Sequence, residues 1–463
     1  MTRRLDWVLV VFAIAGAILA TAPVSASSSV ARDLGPMAQA SPPDTTLDDF
    51  LEDYADSTER YFGMAAAPLD TAGLDSALAF GLAHPDAAGD RSGRFALGFG
   101  PWLAFNRVDG PLYGATAKVG QPRLLGELQG RLGYAVGPND WMGGGEYTKL
   151  WGFRGSDATW LFNASAGRFT GVMDRDRADR IWASLRAFVA GTDNQRYLRR
   201  DGFWARLEYE TSWWRLGTGY RDELESPLEV TTTWNLRKKA PSVVDNLPAA
   251  LGRAREAMWY GTVRLPLIHG GWATAEHRSS GSAINSDFDY RRTRAAVGAE
   301  VPIAGVVSLV PQFEYGRLGG ELVPQAAFYL GGSRSLQTVE SSSRGGTGEA
   351  FGRLDLIGAP ELFRFTNVLG IPPNSVQAGL FGALGAIWGP DPYGGPTIPG
   401  VDWPEREGWL GEVGISILLR PGLPDPAGFI HFDWAWPIGP DARERGFSVY
   451  YARPLFLVRP IVR

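Results

Sequence analysis

The stretch Phe429-Ile430-His431-Phe432-Asp433-Trp434-Ala435-Trp436-Pro437-Ile438 decides the fold. Taken with a period of two, Ile430, Phe432, Trp434, Trp436 and Ile438 share one face, while Phe429, His431, Asp433, Ala435 and Pro437 share the other. Successive side chains of a strand point to opposite faces, so the segment has one wholly apolar aromatic face and one mixed face. A soluble sandwich would also bury the apolar face. Here the pattern recurs in many Gly-rich, aromatic segments behind an apolar leader. The expectation is an all-β fold: a transmembrane antiparallel β-barrel, apolar side to lipid and Asp433 to the lumen.

The leader reads as a signal peptide over residues 1–26. Arg3 and Arg4 form its basic start, residues 8–20 its apolar core, and Val24-Ser25-Ala26 a small-residue cleavage site. Beyond it no run of about eighteen apolar residues occurs, so no helical span is expected. The chain has no cysteine, which removes disulfides, thiolate metal sites and cysteine nucleophiles.

The full chain carries 45 basic and 50 acidic residues; without Arg3, Arg4 and Asp6 the balance is 43 against 49, or −6. That argues against nucleic acid as a partner. Gly 59 and Trp 17 suit a barrel whose strands are half lipid-facing and half water-facing. Aromatic residues gather at the two membrane interfaces.

Residues 27–93 differ in kind. A Ser/Ala/Pro-rich tether precedes Leu47, Phe50, Leu51 and Tyr54, which fall at helical spacing among acids. A short acidic amphipathic helix is expected there, covering the periplasmic mouth or entering the lumen. The barrel is assigned to residues 94–463. Strand-like runs cover 95–102, 112–119, 124–136, 141–151, 203–211, 213–221, 228–235, 258–268, 272–277, 293–301, 306–315, 351–357, 376–388, 409–419, 428–438 and 447–456. The tally is roughly sixteen, even as in bacterial barrels. Residues 181–190 fit strand or helix, and 241–256 reads as a loop. Closure is expected because bare strand edges cannot sit in hydrocarbon.

Three places resemble one family. Asn106, Arg107, Asp109 and Gly110, within Phe105-Asn106-Arg107-Val108-Asp109-Gly110, resemble the motif that opens the barrel of the bacterial surface antigen (BamA-like) superfamily. Phe328-Tyr329-Leu330-Gly331-Gly332-Ser333 resembles the double glycine before that family's inward-folded loop, and residues 428–438 resemble its penultimate strand. Five strands after the loop also match. The resemblance covers about residues 100–456. It implies an outer-membrane barrel that works in protein assembly or transport, with the bilayer, periplasmic proteins or client polypeptides as partners.

Departures bear on that implication. The family's loop carries a Val-Arg-Gly-aromatic tetrad whose Arg meets an acid on the barrel wall. Here Leu336-Gln337-Thr338-Val339 stands in its place, so the Arg is Gln337. Asp433 is the candidate wall acid. Arg334, in the same loop, either substitutes for the missing Arg or stays solvated at the loop base. The family's periplasmic POTRA modules have room for at most one copy in residues 27–100, and the pattern there lacks the module's alternating strands. Phe456 is followed by a tail ending in Arg463 rather than by a terminal aromatic.

Other chemistry finds little support. His84, His269, His277 and His431 lack ligand spacing with carboxylates, so neither metal nor cofactor is expected. Asp174, Asp176 and Asp179 alternate with arginines that compete for them, and no glycine suits a calcium loop. No Gly-x-Ser-x-Gly elbow occurs. His431 and Asp433 on one strand face match a polar lumen wall, so the chain is not expected to be an enzyme. A passive diffusion channel and a lipid-modifying barrel enzyme are the rival readings.

Overall fold

A computed structural model describes residues 96–452, apart from 122–124, 153–157, 174–183, 185, 190, 194, 237–241, 244–245, 266–267, 269, 304–305, 333–334, 341–342, 359–375, 396, 401–402, 420–428 and 440–442. The signal peptide, the tether, the acidic helix, the residues of the calcium reading and Arg334 lie outside the described residues.

The described chain is an antiparallel meander. Its staves are β1 (Ala96–Asn106), β2 (Gly110–Gln121), β3 (Gly126–Ala135), β4 (Asp140–Gly152), β5 (Thr159–Val172), β6 (Tyr197–Glu210), β7 (Trp214–Pro227) and β8 (Gly252–Leu265). They continue as β9 (Gly271–Ser280), β10 (Tyr290–Gly298), β11 (Val307–Gly320), β12 (Gly348–Gly358), β13 (Val376–Trp388), β14 (Leu410–Leu419), β15 (Phe429–Ile438) and β16 (Gly446–Ala452). The sheet has seventeen strands. Val301–Ile303 pairs with β11 just as β10 does, so the two pieces form one interrupted stave and the staves number sixteen. Each stave pairs with the next in sequence, the simplest connectivity a chain can follow. No ladder joins β16 to β1 among the described residues.

The sheet is rolled nonetheless. The Tyr393 hydroxyl, after β13, lies 3.3 Å from the Met173 sulfur, after β5. Those staves are eight apart in the meander, and only strong curvature brings their ends together. The rolled sheet has two unlike faces. On β15, Asp433 and Ala435 are 0% and 1% exposed, whereas Trp436 and Ile438 are each 37% exposed. Phe99, Leu132, Leu216, Leu380 and Phe447 repeat the outward apolar pattern on other staves. No helix among the described residues is long and apolar enough to cross a membrane.

The inner face is charged and paired. Arg221 reaches Glu225 at 2.7 Å, Glu256 at 2.8 Å and Glu223 at 3.0 Å. Buried charges are stable only when paired and hydrogen-bonded, so this wall is internally compensated.

Sequence and structure differ in three places. Residues 228–235 are a loop, not a strand: the Thr231 and Thr232 N–H groups bond the Arg107 carbonyl at 2.9 and 3.1 Å. Residues 252–256 begin β8 instead of ending a loop. Residues 159–172, not marked as a strand, form β5. The described part of 181–190, residues 184 and 186–189, is helical.

Candidate functional site

Residues 321–347 connect β11 to β12 and fold inward. Phe328–Leu330 pairs with Arg344–Gly346, closing a hairpin whose tip is residues 331–340. Gly331 and Gly332 make the tip possible with φ of +110° and +99°, a region L side chains rarely enter. A Cβ on Gly331 would stand 2.1 Å from the Glu340 carbonyl oxygen. The Gly332 N–H donates to the carbonyls of Leu336 (3.1 Å) and Val339 (3.2 Å), which seals the turn.

This loop sits on an apolar seat. Val323, Phe328, Leu330, Leu336 and Val339 pack with Tyr290, Leu318, Phe351, Ala383 and Leu410 of the wall. Burying one such side chain fully is worth about 1.5–3 kcal/mol, so several together offset the ordering of the tip.

Polar bonds fix the orientation of the loop. The Gln337 amide donates from Nε2 to Asp433 Oδ2 at 2.7 Å. Arg353 on β12 donates to the same oxygen at 3.0 Å, as does the Tyr450 hydroxyl at 3.0 Å. Ser416 donates to the other oxygen of Asp433. Arg353 also grips Asp355 at 2.8 Å and lies 4.0 Å above the Phe381 ring. Beside this cluster, Glu412 accepts from the Thr338 N–H (2.9 Å) and hydroxyl (3.0 Å), and Arg443 donates to that hydroxyl at 3.0 Å. A cation on the wall therefore stands where the sequence reading looked to the loop for one. Arg353 and Glu412 gave no motif signal, although Arg353-x-Asp355 is a like-facing charged pair in a strand whose only other charged residue is Glu349.

The β1–β2 turn forms a second cluster. Asn106 accepts the Val108 and Asp109 N–H groups at 2.9 and 2.7 Å and donates to the Asp109 carboxylate at 2.7 Å. Asp109 also accepts from Thr170 at 2.8 Å and pairs with Arg199 at 3.4 Å. The Arg107 N–H donates to Asp193 at 3.1 Å, and its guanidinium lies 6.0 Å over the Tyr197 ring. Burial pushes the Asp193 carboxyl above its usual range, against the opposing pull of Arg107. Gly110 has φ +64°, and a Cβ there would press on the Gly137 amide at 3.2 Å. The turn is thus clamped by residues from three other connections.

Connections at this end also meet one another. Arg196 lies between the rings of Tyr329 and Tyr393, 5.6 and 5.3 Å from their centroids. Gln325 exchanges two 3.0 Å hydrogen bonds with the Ala250 backbone. Of the histidines, His431 stacks on Tyr450 and His277 on Trp259; His84 and His269 lie outside the described residues. No cluster of metal-ligating side chains occurs among the described residues.

No family model and no curated protein matches the chain. Solved structures do. The chain is similar to BamA from Haemophilus ducreyi lacking POTRA domains 1–3, at 12% identity and a TM-score of 0.48, over 77% of this chain and 69% of that one. It is also similar to CdiB from Acinetobacter baumannii, at 8% identity and a TM-score of 0.40, over 77% of this chain and 58% of that one. CdiB from Escherichia coli gives 11% identity and a TM-score of 0.39, over 75% of this chain and 60% of that one. The chain thus spans about three fifths of each CdiB.

Proposed function

We propose that the chain is an outer-membrane β-barrel of the bacterial surface antigen superfamily that handles polypeptides during membrane assembly or transport. The observation that carries this reading is the inward loop: a double-glycine tip between β11 and β12, bonded to the acid of the penultimate stave. Five staves follow the loop, the layout the sequence motifs imply.

The apolar outer face supports a place in lipid, since a sheet exposing Phe99 and Leu216 would aggregate in water. The connections 173–196, 228–251, 321–347 and 389–409 all lie at one end. Long loops mark the extracellular side of such barrels, and this end is assigned to it. The same loops pack across that end, which favours a closed resting state over a standing pore.

Co-purification from outer membranes after cross-linking tests the role, because an assembly or transport barrel captures a client polypeptide. Planar-bilayer recording separates the rivals. Small, flickering currents are expected; a large steady conductance would make the chain a diffusion channel. A change in membrane lipid composition on deleting the gene, reproduced by His431→Ala, would turn the reading to an enzyme; no effect of His431→Ala on the lipids would dispose of it.

A further inference from the structure

We propose that the connections 173–196 and 228–251 form an aromatic lip beside β1 that rests in the outer leaflet of the membrane through Phe188, Trp234 and Leu236. The inference rests on the membrane reading above. It assigns a lipid contact to loops, which that reading does not require.

The outer wall sets the level. Leu103, Tyr113, Tyr134 and Trp141 stand directly opposite one another across β1 to β4. They lie on the face opposite Trp102, Leu112 and Met142, which pack together on the lumen side. The rings of Tyr113 and Tyr134 are 6.0 Å apart, and those of Tyr134 and Trp141 are 5.4 Å apart. A row of outward aromatics marks the boundary between hydrocarbon and water. The short turns 107–109 and 136–139 follow just above, so this is the extracellular boundary.

Phe105 continues that face of β1 one row above Leu103. Leu103 is 65% exposed, whereas Phe105 is only 7% exposed. Two rings from the loops cover it. Phe188 lies edge-on at 5.5 Å and Trp234 edge-on at 5.9 Å. These two are 5.5 Å from each other, so the three rings close a triangle. Backbone bonds hold the loops there. Thr231 and Thr232 donate to the Arg107 carbonyl, and the Leu236 N–H donates to the Phe188 carbonyl at 2.9 Å. Gly191 admits Asn235 beside it: a Cβ there would stand 2.6 Å from the Asn235 amide nitrogen.

The covering side chains are themselves open. Phe188, Trp234 and Leu236 are 39%, 49% and 58% exposed. The run Val230–Leu236 contains no charged residue; Glu229 precedes it and Arg237 follows it in the sequence. Leaving such area in water forgoes about 25 cal/mol per Å² of apolar surface. A tryptophan among threonines, apolar in body and polar at the tip, suits the boundary layer. The patch also continues the outward row upward from Leu103 without a break. Its occupant is therefore the leaflet that the row already meets. A lip held in lipid steadies the top of β1, a stave that pairs with β2 on one side and with no stave on the other among the described residues.

The chain has no cysteine, so single spin labels can be placed freely. The full mature chain, in vesicles of phosphatidylethanolamine and phosphatidylglycerol, carries one label at Trp234→Cys, Leu236→Cys, Leu103→Cys or Ala283→Cys. Leu103 is the lipid reference, and Ala283, exposed in the connection between β9 and β10, is the water reference. Collisions with oxygen, which concentrates in lipid, are compared with collisions with a water-soluble nickel chelate. The oxygen-to-nickel ratio at 234 and 236 should exceed that at 283 by roughly threefold or more. The label at 236 leaves all three rings in place, so a disturbed triangle cannot account for its result. A ratio at 236 equal to that at 283, with 103 reporting lipid, would overturn the proposal and leave the membrane reading standing. A label at 103 that meets nickel as freely as the one at 283 would remove the membrane reading itself. Spectral broadening at 236 that vanishes on dilution with unlabelled protein would give the patch to a second copy and equally overturn the proposal.

Discussion

The Gln337 amide and the Arg353 guanidinium meet on one oxygen of Asp433, at 2.7 and 3.0 Å. The loop brings a neutral donor, and the wall brings the charge. Asp433 is therefore held by its own sheet even before the loop is considered.

Arg353→Gln should be the most damaging single change in the cluster. It leaves Asp433 and Asp355 buried beside each other with no cation between them, a loss of about 3–5 kcal/mol. Unfolding in urea, followed by tryptophan fluorescence, measures it. Combining it with Asp433→Asn should recover part of the loss, because the two sites share an interaction. Additive losses would dissociate the pair.

Gln337→Arg should stabilise the loop. Asp355, Glu412 and Asp433 lie around the seat, and a second cation there offsets surplus negative charge. A charged hydrogen bond is worth about 1.5–3 kcal/mol, less the cost of desolvating the guanidinium. Slower proteolysis within residues 321–347 is the expected readout; faster proteolysis would show that the seat is shaped for the shorter amide.

Gly331→Val should unseat the tip. The backbone stands at φ +110° and the new Cβ would strike the Glu340 carbonyl. A penalty of about 1–3 kcal/mol for the strained conformation, with the clash added, favours an open loop. Single-channel recording should show longer open events than wild type. Unchanged gating would mean that the tip does not limit the pore.

Asp193 predicts a pH effect at the β1–β2 turn. Its native carboxyl titrates above the ordinary 3.8, so the folded state binds that proton more tightly than the unfolded chain. The stabilisation is complete below the ordinary carboxylate range and is lost as pH rises through the native value. Asp193→Asn should flatten this part of the stability profile. Melting temperatures of both proteins from pH 3 to pH 7 decide it, and parallel profiles would remove Asp193 as the source.

Most of the fold was legible because lipid-facing strands show a period of two. Residues 429–438 carry that period and form β15, while 376–388, apolar on both faces, form β13 over the bounds read from the sequence. Two errors cancelled in the strand tally. Thr231-Thr232-Thr233 has the composition of a strand, but its N–H groups serve the Arg107 carbonyl and no ladder forms. The outward side of β5 dilutes Trp160 and Phe162 with Ala164, Ala166 and Arg168, so its period is faint. Asp433 was legible as the lone acid of an aromatic strand. Arg353 was not, since its role depends on a partner 80 positions away that only the register brings near.

The same division of labour separates two equilibria. Where a loop supplies the only counter-charge, withdrawing it strands an anion in the wall, and loop and wall must melt as one. Here a departing carboxamide leaves behind an aspartate still neutralised by its neighbour. Detaching the plug then costs the rehydration of Leu336 and its apolar companions and the two bonds from Thr338 to Glu412, but it leaves the Asp433–Arg353 pair of the wall intact.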